Sequence, residues 1–245
     1  MQKASSKALW VCVLLTLSGS IGCQSAAPSF IKDLFAVDDT SYKAQYGQTP
    51  TQRVEELRAL AVNAGSLSPQ QQGFAAEKLG AEVETEGDPM IRRELVATLG
   101  AFAGQQSVPA LHAAMTDPEA VVRAAGCEAW AQRTTEESYA VLAHTMSTDS
   151  NAEVRQAATK ALANFKSPDA MRTLASALDD KDPATQLLAM RSLESATGQN
   201  LGNSVTKWRE FVTGNYGPPI NMDKIYSPSG SEIIANQPDD NDTWR

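Results

Sequence analysis

The sequence predicts an all-α fold, an α-solenoid of stacked helical hairpins, and three observations carry that prediction. Ile91, Val122, Val154 and Thr185 follow one another at intervals of 31, 32 and 31 residues. A second column, Leu79, Leu111, Leu142 and Leu174, is spaced by 32, 31 and 32. Composition agrees: apolar residues make up 42% of the chain, aromatics only 6%, and alanine dominates. That mixture suits closely packed helices better than aromatic-rich strands.

The first column belongs to one helix of each unit. Leu95, Gly126, Ala158 and Ala189 stand four residues on, and Leu99, Trp130, Leu162 and Leu193 eight residues on. Apolar or small residues at 0, +4 and +8 mark one stripe of an α-helix. Asp88-Pro89, Asp117-Pro118 and Asp182-Pro183 supply start signals, because Asp accepts bonds from free backbone N–H groups and Pro fits the first turn. The second column, with Val83, Met115, Met146 and Leu178 four residues on, marks a second helix. Each unit is therefore a helix, a short turn and another helix in about 31 residues. Neither helix can bury its stripe alone, so the units must stack.

The ends depart from the pattern, as capping units do. Residues 50–64 predict an opening helix and 66–84 the second helix of an irregular first unit. Near the other end the pattern breaks at Gly198 and restarts near Ser204, where Trp208 and Phe211 are placed to cover the last stripe. The repeat domain is expected over 50–213. Residues 214–245, rich in Pro, Ser, Asn and Asp without helical periodicity, are expected to form an extended or disordered tail.

The N-terminus reads as an export signal over residues 1–22. Lys3 and Lys7 precede the ten-residue apolar core Ala8 to Leu17, and small residues lead to Cys23. Ten apolar residues are too few to span a bilayer. Two readings fit Cys23: an incidental residue after an ordinary cleaved peptide, or an acylated first residue of the mature chain. Residues 23–49 are then the tether to the solenoid. With Cys12 lost in the signal, and Cys23 lipidated in the second reading, Cys127 is left alone and neither a disulfide nor a zinc cluster can be built.

The units resemble short HEAT repeats of the PBS-lyase type, through "DPEAVVRAAGCEAW", "EVRQAATKAL" and the degenerate "DPATQLLAMRSL", over about residues 50–200. Gly22-Cys23 resembles the lipobox of bacterial lipoproteins, with Ser20 where that box usually carries Leu. These resemblances imply a membrane-anchored, palmitate-bearing lipoprotein on the periplasmic side of the cell envelope. Gln24 in place of Asp favours the outer membrane under the lipoprotein sorting rule. One acyl chain binds marginally and two or more anchor stably.

Among residues that could carry chemistry, Arg92, Arg123 and Arg155 form a column that Gln186 breaks. They could bind an anion, or pair with Asp88, Asp117 and Asp149 at the turns. The HEAT resemblance implies the second, a structural ladder. His112 and His144 lie on successive second helices, which usually line the concave surface of a solenoid. With Arg172 and Ser176 they are the candidate concave-face binding residues. No Cys, Asp or Glu stands at ligand spacing from either histidine, so no metal site is expected. No nucleophile–base constellation, Gly-rich phosphate loop or cofactor motif is present. The net charge of −8 argues against nucleic acid. The expected function is a non-enzymatic scaffold or adaptor whose partner is another envelope protein. The rival, implied by the resemblance to bilin lyases, is a cofactor-handling enzyme, although no catalytic residue carries over.

Overall fold

A computed structural model describes residues 49–220. They form ten α-helices, with no strand among the described residues. In chain order these are α1 (Pro50–Asn63), α2 (Pro69–Thr85), α3 (Pro89–Gly100), α4 (Val108–Ala114), α5 (Ala120–Ala131), α6 (Glu136–Thr148), α7 (Ala152–Leu162), α8 (Pro168–Ser176), α9 (Pro183–Thr197) and α10 (Val205–Tyr216). Consecutive pairs make five hairpins. The first helices stack in chain order, α1 on α3, α3 on α5, α5 on α7 and α7 on α9. This is the predicted all-α solenoid.

The periodic residues are its core. All three first-helix columns are buried, and the second-helix leucines Leu79, Leu111, Leu142 and Leu174 have no exposed surface. Consecutive columns join into one continuous apolar cluster. A single hairpin would leave its stripe in water, at about 25 cal/mol for each Å² of apolar surface left uncovered.

Local signals set the boundaries. Thr49 and Ser68 cap α1 and α2 through capping boxes with Gln52 and Gln71, each with Pro at the start of the helix. Asp88 and Asp182 cap α3 and α9 by accepting backbone N–H bonds, and Asn151 does the same for α7. The Asp117-Pro118 pair behaves differently. There the helix starts at Ala120, with Glu119 at the cap position. Helix α9 ends at Gly198, whose φ of 73° is left-handed and favours glycine. Ser204 caps α10, and Trp208 and Val212 bury its inner face.

The two helix layers pack by different means. In the first-helix layer backbones approach closely: a Cβ on Gly100 would sit 3.0 Å from both Cα and Cβ of Ala129 on the next hairpin. Hydroxyls cross the same seam, Thr98 Oγ1 donating to Leu57 O and Ser192 Oγ to Thr159 O. Helices α4 and α8 of the second layer are short, at 7 and 9 residues. There polar side chains span neighbouring hairpins, including Tyr139 Oη and Thr173 Oγ1 at 2.7 Å.

Candidate docking surfaces

Three surfaces of the solenoid carry polar or open features among the described residues. Along the edge where each second helix turns into the next first helix, the arginine column is fully engaged. Arg92 donates two bonds to Asp117, Arg123 two to Asp149 and Arg155 two to Asp180, at 2.7–3.1 Å. The remaining guanidinium nitrogen donates to two carbonyls in its own preceding turn, for example Asp117 O and Pro118 O for Arg123. Each acceptor Asp also receives an N–H from two residues on: Glu119, Asn151 and Asp182. One guanidinium thus closes its own turn and reaches forward to the acid of the next.

Two columns of acid-bearing positions stand here, and the sequence reading merged them. Asp88 does not join the ladder. Its side chain caps α3 by accepting from Met90 N. The residue in ladder register is Glu86, which accepts from Asp88 N, and the last acceptor is Asp180. Gln186 ends the donor column, and its amide still reaches the turn carbonyl Asp180 O at 2.7 Å. Burial pushes the Asp117, Asp149 and Asp180 carboxyls up. The arginine bonds together with the turn N–H outweigh it and hold all three below the usual carboxylate range. With every guanidinium bidentate to its own carboxylate, this edge holds hairpins together.

The second-helix face does not gather its four candidates into one site. His112 Nε2 lies 2.8 Å from Glu137 Oε1 of the next hairpin, and its ring packs edge-on to Trp130 at 4.9 Å. His144 is partly buried, and burial lowers the pKa of its imidazole. Arg172 pairs with Asp169 on its own helix, while its buried Nε has no hydrogen-bond partner. Ser176 Oγ donates to Thr173 O. Ala140, on the same second-helix layer, is buried. A neighbouring hairpin or the residue's own helix occupies most of these groups.

The described residues also carry open features. A groove of about 600 Å³ runs across the ends of α5, α7 and α9 on the first-helix side, lined by Ala131, Ala157, Ala161 and Leu188, with Glu128, Lys160 and Arg191 around it. A smaller cleft of about 480 Å³ lies on the ladder edge, between the turns that follow α6 and α8. Sequence reasoning found neither. The groove exists because Ala157 and Ala161 lack bulk, and periodicity cannot report missing volume. Arg133 was also missed: it donates to the carbonyls of Phe102, Ala103 and Gly104 and to Ser107 Oγ, clamping the opposite edge.

Cys127 has no exposed surface, and burial pushes its thiol up to about 12, which leaves it inert as a nucleophile. Among the described residues no cluster of His, Cys, Asp or Glu could hold a metal ion, and no helix is long and apolar enough to cross a membrane. The export signal, Cys23, the tether up to residue 48 and the tail beyond residue 220 lie outside the described residues.

The family model described as HEAT repeats matches residues 76–163 and 140–200. No curated protein matches the chain.

Proposed function

The chain belongs to the HEAT-repeat family, and from that premise we propose that it is a non-enzymatic interaction scaffold, tethered to a bacterial envelope membrane by lipid on Cys23. HEAT repeats are commonly protein-interaction scaffolds, because stacked hairpins offer an extended surface that no single unit could hold. Fold alone does not choose a ligand, so the proposal rests on a local feature. That feature is the first-helix groove, whose floor of Ala131, Ala157, Ala161 and Leu188 spans three hairpins and whose surround carries charges of both signs. An apolar floor within a polar rim is the anatomy of a protein docking site. The second-helix residues named from sequence are tied to their neighbours and are the weaker site.

The tether is supported by the sequence of residues 1–23 alone: two lysines, an apolar core, small residues, and Gly22-Cys23. The partner is proposed to be another envelope protein.

Fractionation combined with co-purification tests both halves. The wild-type chain is expected in the membrane fraction with a stoichiometric protein partner. Cys23→Ser should leave it soluble or unprocessed, and a variant that still partitions with membrane would remove lipid as the anchor. Ala157→Arg, which fills the groove, should lose the partner while the helical signal and melting temperature stay close to wild type. Retention of the partner by that variant would move the docking site elsewhere, and a bound chromophore or catalytic turnover would overturn the scaffold reading.

A further inference from the structure

The groove on the first-helix side carries a column of charges that the fold itself does not use. Glu128, Lys160 and Arg191 stand one repeat apart, at intervals of 32 and 31 residues, on α5, α7 and α9. The same register holds the neutral Ala97 on α3, so these charges are confined to the three hairpins that line the groove. All three side chains are exposed, and among the described residues none of them forms an ion pair or a side-chain hydrogen bond. The nine other arginines of the described residues all donate to a carboxylate or a carbonyl, from Arg53 in the first hairpin to Arg209 in the last. Arg191 alone does not. Beside these charges Ala157 and Leu188 keep part of their surface in water, whereas Ala131 and Ala161 are buried.

From this arrangement we propose that the groove's occupant is an amphipathic helix of the partner protein, laid across the three hairpins. One cation of that helix faces Glu128, and its carboxylates face Lys160 and Arg191. The inference rests on the groove being the docking site proposed above. Spacing selects a helix. Stacked helices lie about 8 to 10 Å apart, and seven residues of a helix advance about 10 Å and return to nearly the same face. An extended chain covers that distance in about three residues and then presents its opposite face, so the same face meets only every second hairpin. A heptad series of one cation and two acids therefore addresses the whole column. Apolar residues three or four places from each charge share its face and cover Ala157 and Leu188. Two unpaired cations beside one carboxylate also give the site a local sign opposite to the chain's net charge of −8, which selects the partner's face by charge.

The probe is a three-heptad helical peptide with Lys, Glu and Glu at successive heptad positions, titrated by fluorescence anisotropy against the full-length chain. It should bind at low salt and weaken as salt rises. A peptide of the same composition, with one Glu moved to the opposite face, should bind about tenfold more weakly. Lys160→Glu combined with Arg191→Glu should lose the first peptide while the helical signal and melting temperature stay close to wild type. Exchanging both peptide glutamates for lysine should restore binding to that double variant. Absence of binding, equal binding of the two peptides, or an exchange that restores nothing would overturn the proposal. Self-association of the chain that the double variant abolishes would assign the groove to a second copy and overturn it as well. If Ala157→Arg loses the co-purified partner and the double variant keeps it, the groove stands as the docking site and the charged helix falls.

Discussion

The two helix layers of this solenoid solve the same stacking problem with different chemistry. First helices meet backbone to backbone, with Gly100 against Ala129 and hydroxyls donating to the neighbour's carbonyls. Two of the second helices, α4 and α8, are short, and the middle second helices reach each other through side chains such as His112 to Glu137 and Tyr139 to Thr173. The first-layer seam at Gly100 has no room for an added atom, whereas the second layer is held by polar groups at its surface. A partner can therefore read the first layer only where small residues leave a groove. The second layer already spends its polar groups on itself.

The largest test of this contrast is Leu162→Ala. Leu162 is fully buried between hairpins in the first layer, and its loss should cost about 2 to 5 kcal/mol. An unchanged melting curve would contradict the idea that each hairpin is completed by its neighbour. The next test compares two glycines. Gly100→Ala places a methyl 3.0 Å from the Ala129 backbone, which cannot swing away, whereas Gly126→Ala meets first the Sδ of Met115, the end of a flexible side chain. Gly100→Ala should cost about 1 to 3 kcal/mol and Gly126→Ala clearly less. Equal losses in denaturant titrations would erase the distinction between rigid and adaptable seams.

The smallest effect concerns pH. His144 is lowered by burial, so the folded chain takes up this proton less readily than the unfolded one. Its contribution to stability is full above about pH 6.5 and fades as pH falls below that. The ladder carboxyls Asp117, Asp149 and Asp180 are lowered too, so their contribution is full above about pH 4 and is lost as pH falls further. Melting temperature should fall in two stages on acidification. His144→Gln should remove the upper stage, and Asp149→Asn should flatten the lower one. A melting temperature that holds steady down to pH 3 would show that neither group matters.

How much of this was legible in the sequence follows from how local each feature is. Leu99, Trp130, Leu162 and Leu193 announce the core because helical burial repeats within one element. Gly198 and Ser204 marked a break and a restart for the same reason. The ladder is half legible: spacing picks out its arginines, but the Asp-Pro dipeptide that Asp88 shares with Asp117 makes Asp88 look like an acceptor. Asp88 precedes Asp117 by 29 residues rather than 31, and that mismatch was the available signal. The status of His112, Arg172 and Ser176 was not legible. Whether such a side chain is free for a ligand depends on what reaches it, such as Glu137 from another hairpin, and no spacing within one helix contains that.

The ladder has direction. Every arginine donates forward and every aspartate receives from behind, until the uncharged Gln186 closes the series. A tandem duplication of one whole period, residues 117–148 for instance, would bring its own acceptor in Asp117 and its own donor in Arg123, and no ion would be stranded at either junction. A break after residue 148 would instead leave Arg123 reaching for an acid that is gone. The array can lengthen or shorten by complete periods in its middle, while its last member must stay neutral, so the grammar of the repeat governs how such a gene can grow.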